Sequence, residues 1–274
     1  MSSQLSWKII KQFSRKNMFG FSFQDVVMEF PDKNPVYLAK VLAGMVHKGM
    51  LWRIARGIYH IIPLNADLKT YVPNPIQVAK YLMQNKAYYL GYASAMKIHG
   101  LASKSETREY IVTKKQIKPA ILIIGGITYR FIQHDSIRFY GFSSIWINQY
   151  EEAMVSDLER TIVDIATNPG FCGGITEVGN AIIRTKARTD LDKLCYYFAR
   201  NQNKSAKKRF LFLTHLLGME WTNKHDRMMK ELGSGISLLD PSVPDQGRKR
   251  SRFGLKMNVD PDFIKEKTLD QETH

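Results

Sequence analysis

Between residues 34 and 62 the apolar positions change period. Leu38, Val41, Leu42 and Met45 recur at i, i+3, i+4 and i+7, which is one face of a helix. Tyr37, Lys40, Gly44 and Lys48 fall on the opposite face. Asn34 followed by Pro35 is a start signal, because Asn caps well and Pro suits a first turn whose N–H groups are unpaired anyway. Gly49 is placed to stop the helix in a left-handed cap. Two short apolar runs follow, residues 50–54 and 58–62, separated by Ala55-Arg56-Gly57. This pattern predicts a β-hairpin with Arg56 at its tip and a glycine able to take positive φ.

Upstream, Leu5, Ile9, Ile10 and Phe13 form a helical stripe over residues 3–16, and Ser22 is placed to cap a short helix over 23–30. Three helices and a hairpin within about sixty residues predict a winged helix-turn-helix. In that arrangement the third helix enters the major groove of DNA and the hairpin touches phosphates. Residues 63–75 carry three prolines and no apolar period, so they read as a linker. Asn74-Pro75 repeats the cap signal, with a helix over 76–84, and another spans 92–99 before Gly100. Strand composition follows at 108–113, 120–124, 127–133, 137–140 and 144–147. From Val155 the pattern is helical: 157–166, 176–187, 191–201, 206–218 and 221–232. The expected fold is α+β, an N-terminal winged helix-turn-helix followed by a mixed α/β domain with a helical C-terminal half. The expected divisions are 1–62, a linker at 63–75, a second domain at 76–235 and a basic, partly ordered tail at 236–274. That tail holds the run Gly247-Arg248-Lys249-Arg250-Ser251-Arg252.

Charge sharpens the picture. The 274 residues carry 40 Lys/Arg against 25 Asp/Glu, a net charge of +15. That balance favours a polyanionic partner, most simply nucleic acid. Residues 1–60 hold nine Lys/Arg and three Asp/Glu, a net of +6. Residues 184–230 hold twelve against four, a net of +8, with Lys204, Lys207, Lys208 and Arg209 within two turns. The expected DNA-contacting residues are therefore Lys33, Asn34, Tyr37, Lys40 and Lys48 on and around the third helix, and Arg53 and Arg56 on the hairpin. Lys204, Lys207 and Lys208 are expected to extend the footprint beyond the winged helix.

Three segments then resemble a known family. Residues 92–101, YASAMKIHGL, are similar to the "SAL…HGL" helix of the AbiEi family. Residues 155–164, VSDLERTIVD, are similar to its "S-x-x-E-R-T-hydrophobic-D" helix, and Arg56-Gly57-Ile58-Tyr59 resembles its "rGvY" wing. Together these matches span roughly residues 5–170. The family comprises antitoxins of type IV toxin–antitoxin pairs. The resemblance implies a repressor that binds double-stranded DNA at its own promoter, with inverted repeats as the expected operator. It also implies a C-terminal domain that opposes a nucleotidyltransferase-like toxin without forming a stable complex with it.

Enzymatic alternatives find less support. Glu159 and Asp164 are five residues apart and do not share a helix face, while Arg160 and Asp164 are placed to pair on the helix surface. A nuclease needs clustered carboxylates for a divalent metal, with a lysine beside the scissile phosphate. Glu109, Lys114, Lys115 and Asp135 lack that spacing. The seven histidines include no i, i+4 pair, so no zinc site is expected. Residues 170–174 hold three glycines without the lysine and hydroxyl of a phosphate loop. Cys172 and Cys195 read as buried thiols in a reducing compartment. The N-terminus lacks an apolar signal region, and the longest apolar run, 120–127, is too short to span a bilayer. A cytoplasmic, non-enzymatic DNA-binding regulator without cofactor or metal is the expectation, and the rivals are a winged-helix-targeted nuclease and a DNA-binding regulator without a toxin partner.

Overall fold

The computed structural model describes residues 2–84, 86–103, 107–247 and 249–269. The chain is mixed α and β and divides into two compact units. Unit 1 comprises residues 1–87 with the short segments 123–127 and 144–153, and unit 2 comprises the remainder. Among the described residues no helix is long and apolar enough to cross a membrane.

Unit 1 runs α1 (Ser2–Arg15), β1 (Gly20–Ser22), α2 (Phe23–Glu29), α3 (Pro35–His47), β2 (Leu51–Ala55), β3 (Ile58–Ile61) and α4 (Pro75–Met83). The starts of α2, α3 and α4 follow from their local sequence. The Ser22 hydroxyl and the Asp25 carboxylate form a reciprocal capping box on α2. Asn34 Oδ1 accepts from Val36 N–H at 2.8 Å, and Asn74 Oδ1 accepts from Ile76 N–H at 2.9 Å, so both Asn-Pro pairs cap a helix. The core collects the apolar faces of α1 and α3. Leu5, Ile9 and Phe13 pack with Leu38, Val41, Leu42 and Met45, and the rings of Phe13 and Phe21 stack at 4.2 Å. Burying each such side chain contributes about 1.5–3 kcal/mol. Gly49 ends α3 at φ +68°, and Gly57 turns the β2–β3 hairpin at φ +73°.

The hairpin extends one residue later than expected at its first strand, because a bulge between Arg53 and Ala55 shifts the register. Strand β1 joins β3 antiparallel, giving a three-stranded sheet in the order β1-β3-β2. The proline-rich segment 63–75 does not leave unit 1. Tyr71 reaches back to His60 Nε2 at 2.7 Å, and α4 packs on β1 and β2.

Unit 2 contains β4 (Tyr88–Leu90), α5 (Tyr92–Ile98), β5 (Arg108–Thr113), β6 (Ile121–Ile124), β7 (Ile127–Gln133), β8 (Phe142–Trp146) and β9 (Glu152–Ser156). The ends of β6, β7, β8 and β9 fall in the segments grouped with unit 1. These strands form a mixed sheet in the order β6-β7-β5-β4-β9-β8. β4 pairs antiparallel with β5 and parallel with β9, and β5 pairs parallel with β7.

The helices α6 (Leu158–Thr167), α7 (Ile175–Thr185), α8 (Leu191–Asn201), α9 (Lys204–Leu216) and α10 (Asn223–Lys230) follow. α6 packs against α7, α8 and α9 and is buried from Glu159 through Ala166. The expected strand at 137–140 is instead a turn, in which Asp135 accepts from Arg138 N–H and Tyr140 is anchored through its hydroxyl to Tyr197 C=O at 2.8 Å. The segment expected as a tail contributes β10 (Ser237–Leu238), parallel to β11 (Leu255–Lys256), and then α11 (Pro261–Leu269), packed on α7. Arg248 and residues 270–274 of that segment lie outside the described residues.

Candidate nucleic-acid interface

Packing decides which side of α3 is free. Leu38, Val41, Leu42 and Met45 face the core, leaving Val36, Tyr37, Ala39, Lys40, Ala43, Gly44, His47 and Lys48 exposed. At 100° per residue, Val36, Lys40, Ala43 and His47 lie along the centre of that face, with Tyr37, Gly44 and Lys48 to one side. β2 packs on α3 and leads into the hairpin, where Arg53 and Arg56 are both exposed. Lys40, Lys48, Arg53 and Arg56 make no ion pair among the described residues. Unit 1 therefore presents four free cations on one helix and the hairpin that follows it.

Two of the expected contacts are already occupied. Lys33 Nζ lies 2.9 Å from Asp32, which raises the lysine pKa and lowers that of the aspartate through the hydrogen bond between them. The Asn34 side-chain oxygen is committed to the helix cap. Both residues stay at the surface, but neither offers its full hydrogen-bonding capacity to a ligand.

The expected basic patch on α9 requires correction. Only Lys204 is exposed. Lys207 is buried and pairs with Glu231 at 2.5 Å, a carboxylate distant in sequence. Lys208 is 1% exposed and donates to Gly235 C=O. Arg209 is buried too. Its guanidinium donates to the carbonyls of Ala166 and Thr167 at the end of α6, and to those of Leu238 and Leu239. The run binds the chain to itself, so Lys207 and Lys208 are not available to phosphates. Burial also lowers the Lys208 pKa, with Lys204 adding to the effect.

The two helical segments that carry the family resemblance, 92–101 and 155–164, meet in unit 2. His99 Nε2 lies 2.7 Å from Ser156 C=O. Ser94 bonds both Glu109 and Tyr110 N–H. Asp157 caps α6 by accepting from Arg160 N–H at 2.8 Å and also accepts from the Tyr197 hydroxyl. Glu159 accepts from Asp190 N–H at 2.9 Å and pairs with Lys193. The Arg160–Asp164 pair forms as its spacing predicts, at 2.7 Å, but it is not on the surface: the two side chains are 0% and 1% exposed. Sequence spacing establishes adjacency on a helix and says nothing of which way that face turns.

Around this pair lies an aromatic polar cluster that sequence reasoning missed. Tyr89 Oη lies 3.2 Å from Asp164, 3.1 Å from Arg160 and 3.0 Å from His134 Nδ1, and Tyr92 Oη lies 3.2 Å from His134 Nε2. Arg160 Nε and Nη1 have no hydrogen-bond partner among the described residues, and the guanidinium lies 4.3 Å from the centre of the Tyr140 ring. Burial lowers the His134 pKa, Asp164 partly opposing it, and burial raises those of Tyr89 and Tyr92. Burial also works against the charge on Arg160, but Asp164, Tyr89 and Tyr140 more than offset it. Tyr92 holds φ +52°, a conformation rare for an aromatic residue and maintained here by complete burial. Every carboxylate in the 155–164 segment thus has a structural partner.

No group of three or more His, Cys, Asp or Glu side chains among the described residues is placed to hold a metal ion. Cys172 is buried, and Cys195 is half-buried with its pKa raised by burial.

A scan against protein-family models finds no match. No curated protein matches either. Among solved structures, the chain is similar to the crystal structure of the RV2827C protein from Mycobacterium tuberculosis, with a TM-score of 0.69 and 12% identity over 97% of this chain and 94% of that one. At that identity the likeness establishes a shared fold spanning both units.

Proposed function

We propose that the protein is a DNA-binding transcriptional repressor, that unit 1 is its winged helix-turn-helix, and that it serves as the antitoxin of a type IV toxin–antitoxin pair. The observation that carries the DNA-binding half is the exposed face of α3, with free cations at Lys40 and Lys48, followed directly by a hairpin that exposes Arg53 and Arg56. The element order α1-β1-α2-α3-β2-β3, with β1 added beside β3, supports a winged helix. In this arrangement α3 is the recognition helix, with Tyr37 and Lys40 toward base edges, and the hairpin is the wing on the phosphates.

The antitoxin half rests on the resemblance of residues 92–101 and 155–164 to the AbiEi family. Unit 2 would oppose a nucleotidyltransferase-like toxin without a lasting complex and without catalysis of its own. The engagement of Asp157, Glu159 and Asp164 in caps and ion pairs supports a non-catalytic role for that segment.

The test is binding of the full chain to the duplex upstream of its own gene, measured by fluorescence anisotropy across a salt series. Saturable binding that weakens steeply with salt is expected. An affinity equal to that for an unrelated duplex at every salt concentration would remove the repressor assignment. Expression beside the neighbouring gene tests the second half: rescue of growth from a toxic nucleotidyltransferase-like product is expected, and continued arrest overturns it.

A further inference from the structure

The exposed face of α3 carries an unusual set of groups for a helix that reads DNA. It has no arginine, glutamine, aspartate or glutamate. The Asn34 oxygen is held by Val36 N–H, which rules out the two-point contact of an Asn amide with adenine while the cap is in place. Lys33 is held by Asp32. What remains on the centre line is Val36, Lys40, Ala43 and His47. Val36 is 65% exposed in the first turn, where recognition helices meet base edges, and it has no core to fill. In the major groove the apolar feature that such a side chain can meet is the thymine C5-methyl group.

A second observation on the same face is independent of this one. Gly44 sits inside α3, where glycine costs about 1 kcal/mol relative to alanine. A Cβ built there would meet nothing within 4 Å, so no packing in the protein requires the glycine. A bare backbone at this exposed position allows the closest approach of a group from outside.

Resting on the DNA-binding proposal above, we infer that α3 specifies its site chiefly by apolar contact of Val36 with a thymine methyl, and that Gly44 sets how deeply the helix enters the groove. Lys40 adds the one flexible cation at the centre of the face. The preferred duplex then has thymine at the position facing the first turn of α3, and lacks a guanine read by an arginine fork.

The experiment selects preferred duplexes from a random pool with the full chain, then replaces each thymine of the selected site by uracil, which removes only the methyl group. Uracil at one position is expected to weaken binding about fourfold, the value of one buried methyl. The Val36→Ala chain should bind the thymine and uracil duplexes alike. Gly44→Ala should raise the thermal midpoint of unfolding while weakening binding to the selected duplex. Selection of a preferred site whose affinity is indifferent to uracil overturns the thymine contact and leaves DNA binding standing. An equal uracil penalty in wild type and Val36→Ala overturns the assignment to Val36. Gly44→Ala binding as tightly as wild type overturns the close approach. Failure to retain any duplex at low salt overturns the DNA-binding proposal and this inference together.

Discussion

Two stretches of this chain look alike as charge and differ entirely as structure. Residues 40–56 hold Lys40, Lys48, Arg53 and Arg56, all exposed and free of ion pairs among the described residues. Residues 204–209 hold Lys204, Lys207, Lys208 and Arg209, of which only the first is exposed. The difference lies in what surrounds each helix. α3 has one buried face, so its polar positions stay in water, whereas α9 is buried from Ala206 through Thr214. Charges on such a helix must find partners or forfeit their hydration. They find a carboxylate and the carbonyls of loops and helix ends. Positive charge in unit 1 is available to a ligand, and in unit 2 much of it is consumed by the fold.

The sharpest break in that comparison is expected at the most deeply buried charge. Arg160→Met leaves Asp164 without its cation in a closed, aromatic setting. Breaking a buried pair from one side costs roughly 3–5 kcal/mol, and replacing both partners with apolar residues recovers most of it. Arg160→Met should therefore destabilise unit 2 by that amount in denaturant unfolding, and Arg160→Met with Asp164→Leu should be markedly more stable than the single variant. A double variant no better than the single would show that the surrounding hydrogen bonds, not the charge pair, hold the cluster.

Arg209 tests the same division one step down. Its guanidinium satisfies the carbonyls at the end of α6 and those of Leu238 and Leu239. Arg209→Leu strands these acceptors and should cost roughly 3 kcal/mol, while the folded variant binds DNA with an unchanged salt slope. A reduced slope with normal stability would place this residue in the interface.

How much of this could be read from the chain depended on how local the cause was. The caps at Ser22, Asn34, Asn74 and Asp157 and the stop at Gly49 are set by adjacent residues, and all occur where the sequence puts them. The core face of α3 was equally legible, because its period is its own. Strands β1, β4 and β9 were not seen. They have three to five residues each and no alternation; partners distant in the chain define β1 and β4, while β9 lies between distant β4 and β8, which is close in sequence. The ladder between β10 and β11, two residues long on each side, is the extreme case. Burial of Lys207 and Lys208 was hidden for the same reason. Glu231 and Gly235 reach them only through the tertiary fold. The Tyr89–His134–Arg160–Asp164 cluster draws on β4, the loop after β7 and α6, and spacing joins only Arg160 to Asp164.

Unit 1 has its own buried titratable group, and its effect depends on pH. Burial lowers the His60 pKa to about 4, against a weak opposing pull from Glu151. Tyr71 and Tyr81 also face the ring, and Glu151 is itself held by Tyr81 and Gln77. The unfolded imidazole titrates near 6.5, so between that value and about 4 the unfolded chain binds the extra proton. His60 thus contributes stability that is fully present above pH 6.5 and lost as pH falls toward 4, on the order of 3 kcal/mol in all. His60→Gln should flatten the acid limb of the stability profile of unit 1. An identical slope in wild type and variant would mean that carboxylates alone produce it.

The smallest expected effect on folding is the largest expected effect on binding. Arg56 stands exposed beside the glycine of the hairpin turn, and no ion pair holds it among the described residues. Surface substitutions away from packed features generally change stability by less than about 0.5 kcal/mol. Arg56→Ala should accordingly leave the unfolding midpoint unchanged. If the hairpin is the wing, the same substitution removes one phosphate contact, so the slope of log affinity against log salt should shrink by about 0.9. Specific and unrelated duplexes should weaken by similar factors, because a phosphate contact carries no sequence information. Arg53→Ala should act alike, and the double variant should lose about twice as much slope, since each residue neutralises its own phosphate. This separates the wing from the helix: Val36→Ala should change preference among sequences with the slope intact, and Arg56→Ala should change the slope with the preference intact. Should Arg56→Ala keep the full slope while Lys204→Glu lowers it, the DNA would lie against unit 2, and the contrast between the two basic stretches would have to be drawn the other way round.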